Sequence, residues 1–241
     1  MRAAVLETGA TSLEIRDDIE LDATGIGEVR VRIAYCGLCH SDVSAVKGVH
    51  PAMTPSVVGH EAAGVVTEVG PGVGGLEVGD HVVLSPLSAC GHCDLCRAGH
   101  PTVCANSFAI AMGTFPDGST RLRRGDEVVY RGFGLAAMAE EVVVAEAGAI
   151  RIPADVPLDV ACVIGCAVQT GLGSVVNTVG PPPGSTFLIF GAGGIGLSAI
   201  AGARLSGASR IIVSDPNPTR RAAATAFGAT DVVDPNAEDV V

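Results

Sequence analysis

Two periodicities divide the chain. Up to about residue 150, apolar residues alternate with polar ones or gather in short runs broken by Gly and Pro. "EVRVRIAYC" (28–36), "AAGVVTEVG" (62–70), "DHVVLSP" (80–86) and "EEVVVAEAG" (140–148) are the clearest, with "VGPGVGGLEVGD" (69–80) as punctuation between two of them. Short β-branched runs between turn residues predict an irregular barrel or sandwich of short strands. After about residue 165 the period lengthens. "STFLIF" (185–190) predicts a buried strand and "GIGLSAIAGARLSGAS" (194–209) an apolar helix. "RIIVSD" (210–215) predicts a second strand, "NPTRRAAATAFGA" (217–229) a second helix and "TDVVD" (230–234) a third, short strand. Strand, helix, strand, helix, strand is the pattern of a parallel α/β sheet. The expected division is therefore a β domain over 1–165 and an α/β domain over 166–241, with the stiff "VGPPPGST" turn leading into the first parallel strand.

Composition narrows the class. The chain has 241 residues, enough for two modest domains, and 48% hydrophobic residues against 17% charged ones, enough for a packed core. Aromatics are 3% and Trp is absent, so Val, Ala, Ile and Leu must build that core. A formal charge of −11 without a long basic run argues against nucleic acid and anionic membrane surfaces as partners. "MRAAVLETGA" lacks the apolar core of a signal peptide, and no apolar stretch approaches the roughly 20 residues of a membrane span. The expectation is a cytoplasmic protein with reduced thiols, in which clustered cysteines hold metal more often than they pair.

Four of the eight cysteines are clustered. Cys90, Cys93, Cys96 and Cys104 are spaced C-x2-C-x2-C-x7-C. A disulfide framework suits a secreted chain, and the ferredoxin run has a shorter last spacing followed by Pro. A tetrahedral zinc fits better. Four thiolates close its coordination sphere, so such a site braces a lobe and does no chemistry.

The first parallel strand runs into "GAGGIG", in which Gly191, Gly193 and Gly196 match G-x-G-x-x-G. Alone the match is weak in a glycine-rich chain. Here a strand precedes it, a helix follows, and a second strand ends at Asp215. That context reads as a dinucleotide fingerprint, with Gly191 for the tight turn, Gly193 for approach to the pyrophosphate and Gly196 for helix packing. The helix N-terminus would meet the diphosphate. Asp215 would accept from the adenosine ribose, which favours NAD over NADP, and Arg220 and Arg221 soften that preference.

Other thiols lie in "CGLCHSD" (36–42) and "IGCAVQTG" (164–171), and a His–Glu pair in "VGHEAAG" (58–64). Spacing alone cannot assemble a metal site from segments this far apart. Lone cysteines such as Cys162 are usually core residues.

Together these segments resemble the zinc-dependent medium-chain alcohol dehydrogenases. "GHEAAGVVTEVGPGV" (59–73) matches that family's zinc signature, G-H-E-x2-G-x5-G-x2-V. "GLCHSD", the four-Cys lobe, "IGCAVQTGLGSV" and "GAGGIG" follow in family order. "GTFPDGSTRL" (113–122) further resembles the branch that includes the thiol-dependent formaldehyde dehydrogenases. The resemblance implies a GroES-like catalytic domain, an irregular β-barrel, followed by a Rossmann domain. It implies two zinc ions per chain, NAD, a small alcohol or aldehyde substrate, and a homo-oligomer for a full-length form. Cys39, His60 and Cys166 would hold the catalytic zinc, a Lewis acid toward the alcohol in hydride transfer to NAD. Cys39 is preferred over Cys36 because it stands in G-L-C-x-S-D. Asp42 would orient His60, Glu61 would approach the metal, and Ser41 would take the alcohol's proton. His40 would contact the coenzyme pyrophosphate and Thr170 the nicotinamide. Ser44 stands where other members continue the proton relay with His.

Only the first βαβαβ half of a six-stranded Rossmann sheet is legible before the sequence stops. The expectation is a piece of a longer product or a truncated protein. A non-catalytic zinc-binding remnant is the alternative function. The 241 residues alone are not expected to oxidise alcohols at a useful rate, because the missing strands would hold the nicotinamide.

Overall fold

A computed structural model describes residues 1–86, 88–107 and 112–237. The end of the expected second domain, 238–241, lies outside the described residues. The chain divides into two compact units, Met1–Gly165 and Cys166–Val241.

The first unit is built on a five-stranded antiparallel sheet. Its strands run in the order Glu141–Ala145, Glu28–Gly37, Glu61–Val69, His81–Leu84 and Ala149–Arg151. One face of each alternating run is buried, and Val29, Val31, Val66, Val82, Leu84, Val142 and Val144 form its core. The strand Glu28–Gly37 is ten residues long rather than short. It keeps its inward face by register shifts at Arg30/Val31 and Ile33/Tyr35, which bend it along its partner Glu61–Val69. A second sheet of four strands runs Tyr130–Arg131, Ser56–Val57, Ala3–Leu6 and Leu13–Arg16, the first pair parallel and the rest antiparallel. These short strands carry too few residues for the alternation to announce them. Three more short strands, Glu20–Leu21, Leu122–Arg124 and Glu127–Val128, form a third sheet.

The second unit is a three-stranded parallel sheet in the order Thr186–Phe190, Arg210–Ser214, Asp231–Val233. The helices Gly194–Leu205 and Pro218–Phe227 cross between them. Ile200, Ala203, Ile211, Val213 and Ala224 are buried between sheet and helices. Two expectations change here. The strand Thr186–Phe190 is not fully buried: Phe190 is 68% and Leu188 41% exposed. It lies at an edge of this sheet, and alternate residues turn away from the covering helix. The first helix stops at Leu205, four residues early, where Gly207 takes a left-handed φ of 73°. The second helix starts as its sequence dictates. The Asn217 side chain accepts from the amides of Thr219 and Arg220, and Pro218 fills the first turn. Among the described residues no single helix is long and apolar enough to cross a membrane.

Candidate metal centres and glycine loop

The Cys-rich lobe is a turn, a short helix Asp94–Arg97 and a 3-10 turn Pro101–Val103. These fold Cys90, Cys93, Cys96 and Cys104 so that their sulfurs all lie within 4.8 Å of one another. Tetrahedral zinc with bonds of about 2.3 Å sets its sulfurs about 3.8 Å apart, so the cluster matches that spacing. No disulfide joins any of the eight cysteines. Backbone amides point at the sulfurs: Cys93 N–H donates to Cys90 Sγ and Cys90 N–H to Cys104 Sγ, each at 3.4 Å. Amides of Ala105 and Cys96 bring Cys93 down to about 6. Burial and the adjoining Cys93 sulfur push Cys96 up to about 12. Four clustered sulfurs cannot all ionise unaided, and a cation is what would hold them as thiolates.

The second constellation starts where the strand Glu28–Gly37 ends. Cys39 is the N-cap of the helix His40–Val46, and Asp42 lies in that helix's first turn. The Asp42 carboxylate is 1% exposed and fully used. Oδ2 accepts from Cys39 N–H at 3.1 Å; Oδ1 accepts from Gly59 N–H and faces His60 Nδ1, both at 3.1 Å. One carboxylate thus pins Cys39 and the residue before His60, and fixes the imidazole itself. With Asp42 on Nδ1, Nε2 is the His60 ring nitrogen left for another partner. A His60 ring nitrogen and Cys39 Sγ lie within 4.8 Å of each other. Burial raises the Cys39 thiol, but hydrogen bonds from Ser41 N–H, the Ser41 hydroxyl and His60 outweigh it, and the net shift is downward. Burial pushes Cys36 up to about 12, with Asp42 adding to it, so Cys36 stays a thiol. That contrast separates the two cysteines of C-G-L-C by chemistry, where sequence could separate them only by motif.

Glu61 is buried and lies opposite Gly37 in the sheet register. His40 is exposed, and Ser44 Oγ is 3.3 Å from its Nδ1. Ser44, absent from the expected relay, therefore partners His40. Cys166 is the first residue of the second unit and the N-cap of the helix Ala167–Gly173, with Thr170 exposed on that helix.

In the second unit the glycine loop has the geometry its motif requires. Gly191 has a φ of 87°, in the left-handed region, and its N–H donates to Ser214 O at 2.7 Å. Gly193 caps the helix Gly194–Leu205, and a Cβ added to it would meet nothing within 4 Å. A Cβ at Gly196 would overlap the Gly191 carbonyl. Asp215 ends the second strand and is tied to the loop: its Oδ2 accepts from Ala192 N–H and its Oδ1 from Asn217 N–H, both at 2.8 Å. The Ala192 amide holds its carboxyl below the usual carboxylate range. Arg221 donates to the Asp215 carbonyl at 2.7 Å, and Arg220 Nη1 lies 3.9 Å from Asp215 Oδ2.

Phe133 was not legible as a site residue. Its ring centroid is 4.5 Å from that of His60, tilted by 45°. It takes a φ of 51°, uncommon for an aromatic residue. Glycines on both sides, in "RGFGL", are the one local hint. The segment is held in place by amides: Tyr130 N–H donates to Pro55 O, Met138 N–H to Val58 O and Ala137 N–H to Gly59 O.

A buried Asp42–His60 pair beside the half-buried Cys39, a lobe of four clustered cysteines and a parallel sheet entered through a glycine loop point to the zinc-binding dehydrogenase class. The alcohol dehydrogenase GroES-like domain family matches residues 25–154 and the zinc-binding dehydrogenase family residues 194–241. The chain belongs to the zinc-dependent medium-chain alcohol dehydrogenases, with a GroES-like domain followed by the first half of a Rossmann sheet. It is 39% identical over 240 residues to S-(hydroxymethyl)glutathione dehydrogenase of Escherichia coli, covering 99% of this chain and 65% of that protein. An alcohol dehydrogenase zinc-binding domain protein from Burkholderia ambifaria has 40% identity and a TM-score of 0.93, over 99% of this chain and 65% of the other. Benzyl alcohol dehydrogenase from Acinetobacter calcoaceticus has 33% identity and a TM-score of 0.91, over 99% and 64%. The chain thus spans about 65% of the length of the relatives it matches.

Proposed function

We propose that the protein is a cytoplasmic, zinc-dependent oxidoreductase that moves a hydride between an alcohol and NAD, giving an aldehyde or ketone. The substrate class is a primary alcohol or a thiol hemiacetal. The names of the relatives support this range, one acting on S-(hydroxymethyl)glutathione and another on benzyl alcohol. The observation that carries the reading is the Asp42–His60 contact at 3.1 Å, with a His60 ring nitrogen within 4.8 Å of Cys39 Sγ. A carboxylate that fixes a histidine's tautomer is the usual support of a metal-ligating imidazole.

In this reading Cys39, His60 and Cys166 would hold one zinc, and Cys90, Cys93, Cys96 and Cys104 a second. When bound, the first zinc would supply a Lewis acid and the nicotinamide a hydride acceptor. The chain's residues do the rest. Ser41, half-buried next to Cys39, takes the alcohol's proton. Asp42 orients His60, and Glu61 stands ready beside the ligands during exchange. His40 meets the coenzyme pyrophosphate, and its contact with Ser44 fixes the ring. Thr170 borders the nicotinamide. Gly191, Gly193 and Gly196 seat the diphosphate, while Asp215 receives the adenosine ribose and Arg220 stands at its edge. The full-length form is a homo-oligomer.

The test is an NADH absorbance assay on the product of the complete reading frame, zinc-replete, with ethanol, benzyl alcohol and a thiol–formaldehyde adduct. Turnover with at least one of them, lost in Cys39→Ser, is expected. Zinc-replete protein inactive on all three would overturn the reading.

Cofactor choice gives a second expectation. Asp215→Ala should weaken NAD binding and raise the relative affinity for NADP, since the ribose acceptor and the repulsive charge leave together. Titration of both coenzymes checks it. An unchanged NAD-to-NADP ratio would remove Asp215 from the ribose.

A further inference from the structure

Phe133 holds a backbone conformation that its side chain disfavours, with φ 51° and ψ 26°. A left-handed residue is ordinarily Gly or Asn, because a Cβ crowds the following carbonyl there. Both neighbours, Gly132 and Gly134, are glycines, yet the strained position itself carries a ring. Gly134 and Ala136 are left-handed too, at 78° and 61°, so the chain turns tightly through 133–136. The turn is clamped on both sides. Before it, Arg131 N–H donates to Gly113 O at 3.0 Å, and the Arg131 guanidinium lies 3.8 Å over the Phe115 ring. After it, Ala137 N–H donates to Gly59 O at 2.9 Å and Met138 N–H to Val58 O at 2.8 Å. A Cβ on Gly132 would sit 2.6 Å from the Val57 carbonyl oxygen, so the turn lies directly on the segment that leads into His60.

Core packing does not account for the ring. Among the described residues, Phe133 belongs to none of the buried apolar clusters of the first unit. It borders a cavity of about 30 Å³ shared with Met53 and Met112. The ring it meets is that of His60, with 4.5 Å between centroids and a tilt of 45°. That is the close end of the range for aromatic pairs, roughly 4.5–7 Å. His60 has a use for such a neighbour. The outer torsion of a histidine side chain has broad minima. The contact between Nδ1 and Asp42 fixes one edge of the ring, but a hydrogen bond tolerates a wide swing before it weakens. A flat group against the face of the imidazole narrows that swing.

We propose that Phe133 is a positioning residue for His60, held in a strained turn so that its ring and the Asp42 carboxylate together fix the imidazole plane. Asp42 sets the edge and Phe133 the face. The remaining ring nitrogen is then aimed in one direction. Strain at this position is what it costs to place a ring where the turn would otherwise carry glycine. What the imidazole is aimed at rests on the metal reading proposed above. The fixing of the ring rests on geometry alone.

The experiment compares the wild type with Phe133→Gly and Phe133→Tyr. Gly accepts the left-handed turn and deletes the ring, whereas Tyr keeps the ring. Two quantities are read. One is zinc affinity at the open site, that of Cys39 and His60, and at the lobe, by competition with a chromophoric chelator. The other is the ¹³C order parameter of the His60 ring by NMR, with the open site empty. Phe133→Gly is expected to lower open-site affinity by about 3–10-fold, the size of one aromatic pair, and to leave the lobe unchanged. Its His60 order parameter should fall while the Gly59 amide stays rigid. Phe133→Tyr should match the wild type in both. Relief of strain offsets the lost contacts, so the Tm of Phe133→Gly should stay within about 2–4 °C of the wild type. Either quantity unchanged in Phe133→Gly would overturn the proposal. So would equal losses at both zinc sites with a lowered Tm, the mark of a purely structural role. If Phe133→Gly fails to fold, Phe133→Leu, which lacks a flat face, is held to the same two expectations. A wild type that takes no zinc at the open site would sink the metal reading, and the His60 order parameter would then decide on Phe133 alone.

Discussion

Asp42→Ala is expected to lower zinc affinity at the open site by about 10–100-fold and leave the lobe zinc in place. The carboxylate is buried and makes three contacts, to Cys39 N–H, Gly59 N–H and His60 Nδ1. Its loss strands two backbone donors at about 1–3 kcal/mol each. It also frees the His60 ring to rotate or change tautomer, so that a protonated Nε2 can face the metal position. Asp42→Asn should fail in a different way. An amide can place its oxygen on the Gly59 and His60 side or on the Cys39 side, and its N–H₂ then confronts a donor on the other. Fold and lobe should survive in Asn while open-site affinity drops. Competition with a chromophoric chelator, with both zinc ions followed, reads the effect. Unchanged open-site affinity in both variants would mean that Asp42 only caps its helix.

Gly196→Ala is expected to cost at least about tenfold in affinity for ADP-ribose and about 1–3 kcal/mol in the stability of the second unit. The added Cβ would overlap the Gly191 carbonyl oxygen and lie 2.9 Å from its carbon. Both are backbone atoms of the glycine loop, so no side chain can swing away. Gly191 itself is anchored through its amide to Ser214. The loop must therefore move, and its amides no longer converge on a diphosphate. Gly194→Ala is the milder comparison, because its Cβ would sit 3.2 Å from the Ala167 Cβ, a tight contact without the overlap found at Gly196. Equal affinities in the two variants would show that the loop is not the diphosphate site.

The α/β half was the more legible part of the sequence. Its strands and helices are each a single hydrophobic period, and Asn217, Pro218 and Gly228 mark the limits of the second helix in the sequence itself. The exposure of Leu188 and Phe190 was not legible, because an apolar run reads the same whether one face of its strand is covered or both. In the β half, the four long runs were visible, whereas Ser56–Val57 and Tyr130–Arg131 exist only through pairing with each other and with Ala3–Leu6. The same long-range pairing brings Phe133 to His60, which no local pattern encodes. The clustering of Cys90, Cys93, Cys96 and Cys104 was readable because the four lie within fifteen residues. The open site was not, because Cys39 and His60 meet through the fold, and only the resemblance joined them to Cys166.

The most direct measurement is the zinc content of the purified chain and of two single variants, by elemental analysis with matched protein determination. Two zinc ions per chain are expected in the wild type. Cys166→Ser should retain one and unfold normally, since the closed lobe is untouched. Cys93→Ser should lose the lobe zinc and much of the folding yield, because the lobe has little apolar core of its own. One zinc per chain in the wild type, unaltered by Cys166→Ser, would contradict an open metal site and leave only the lobe.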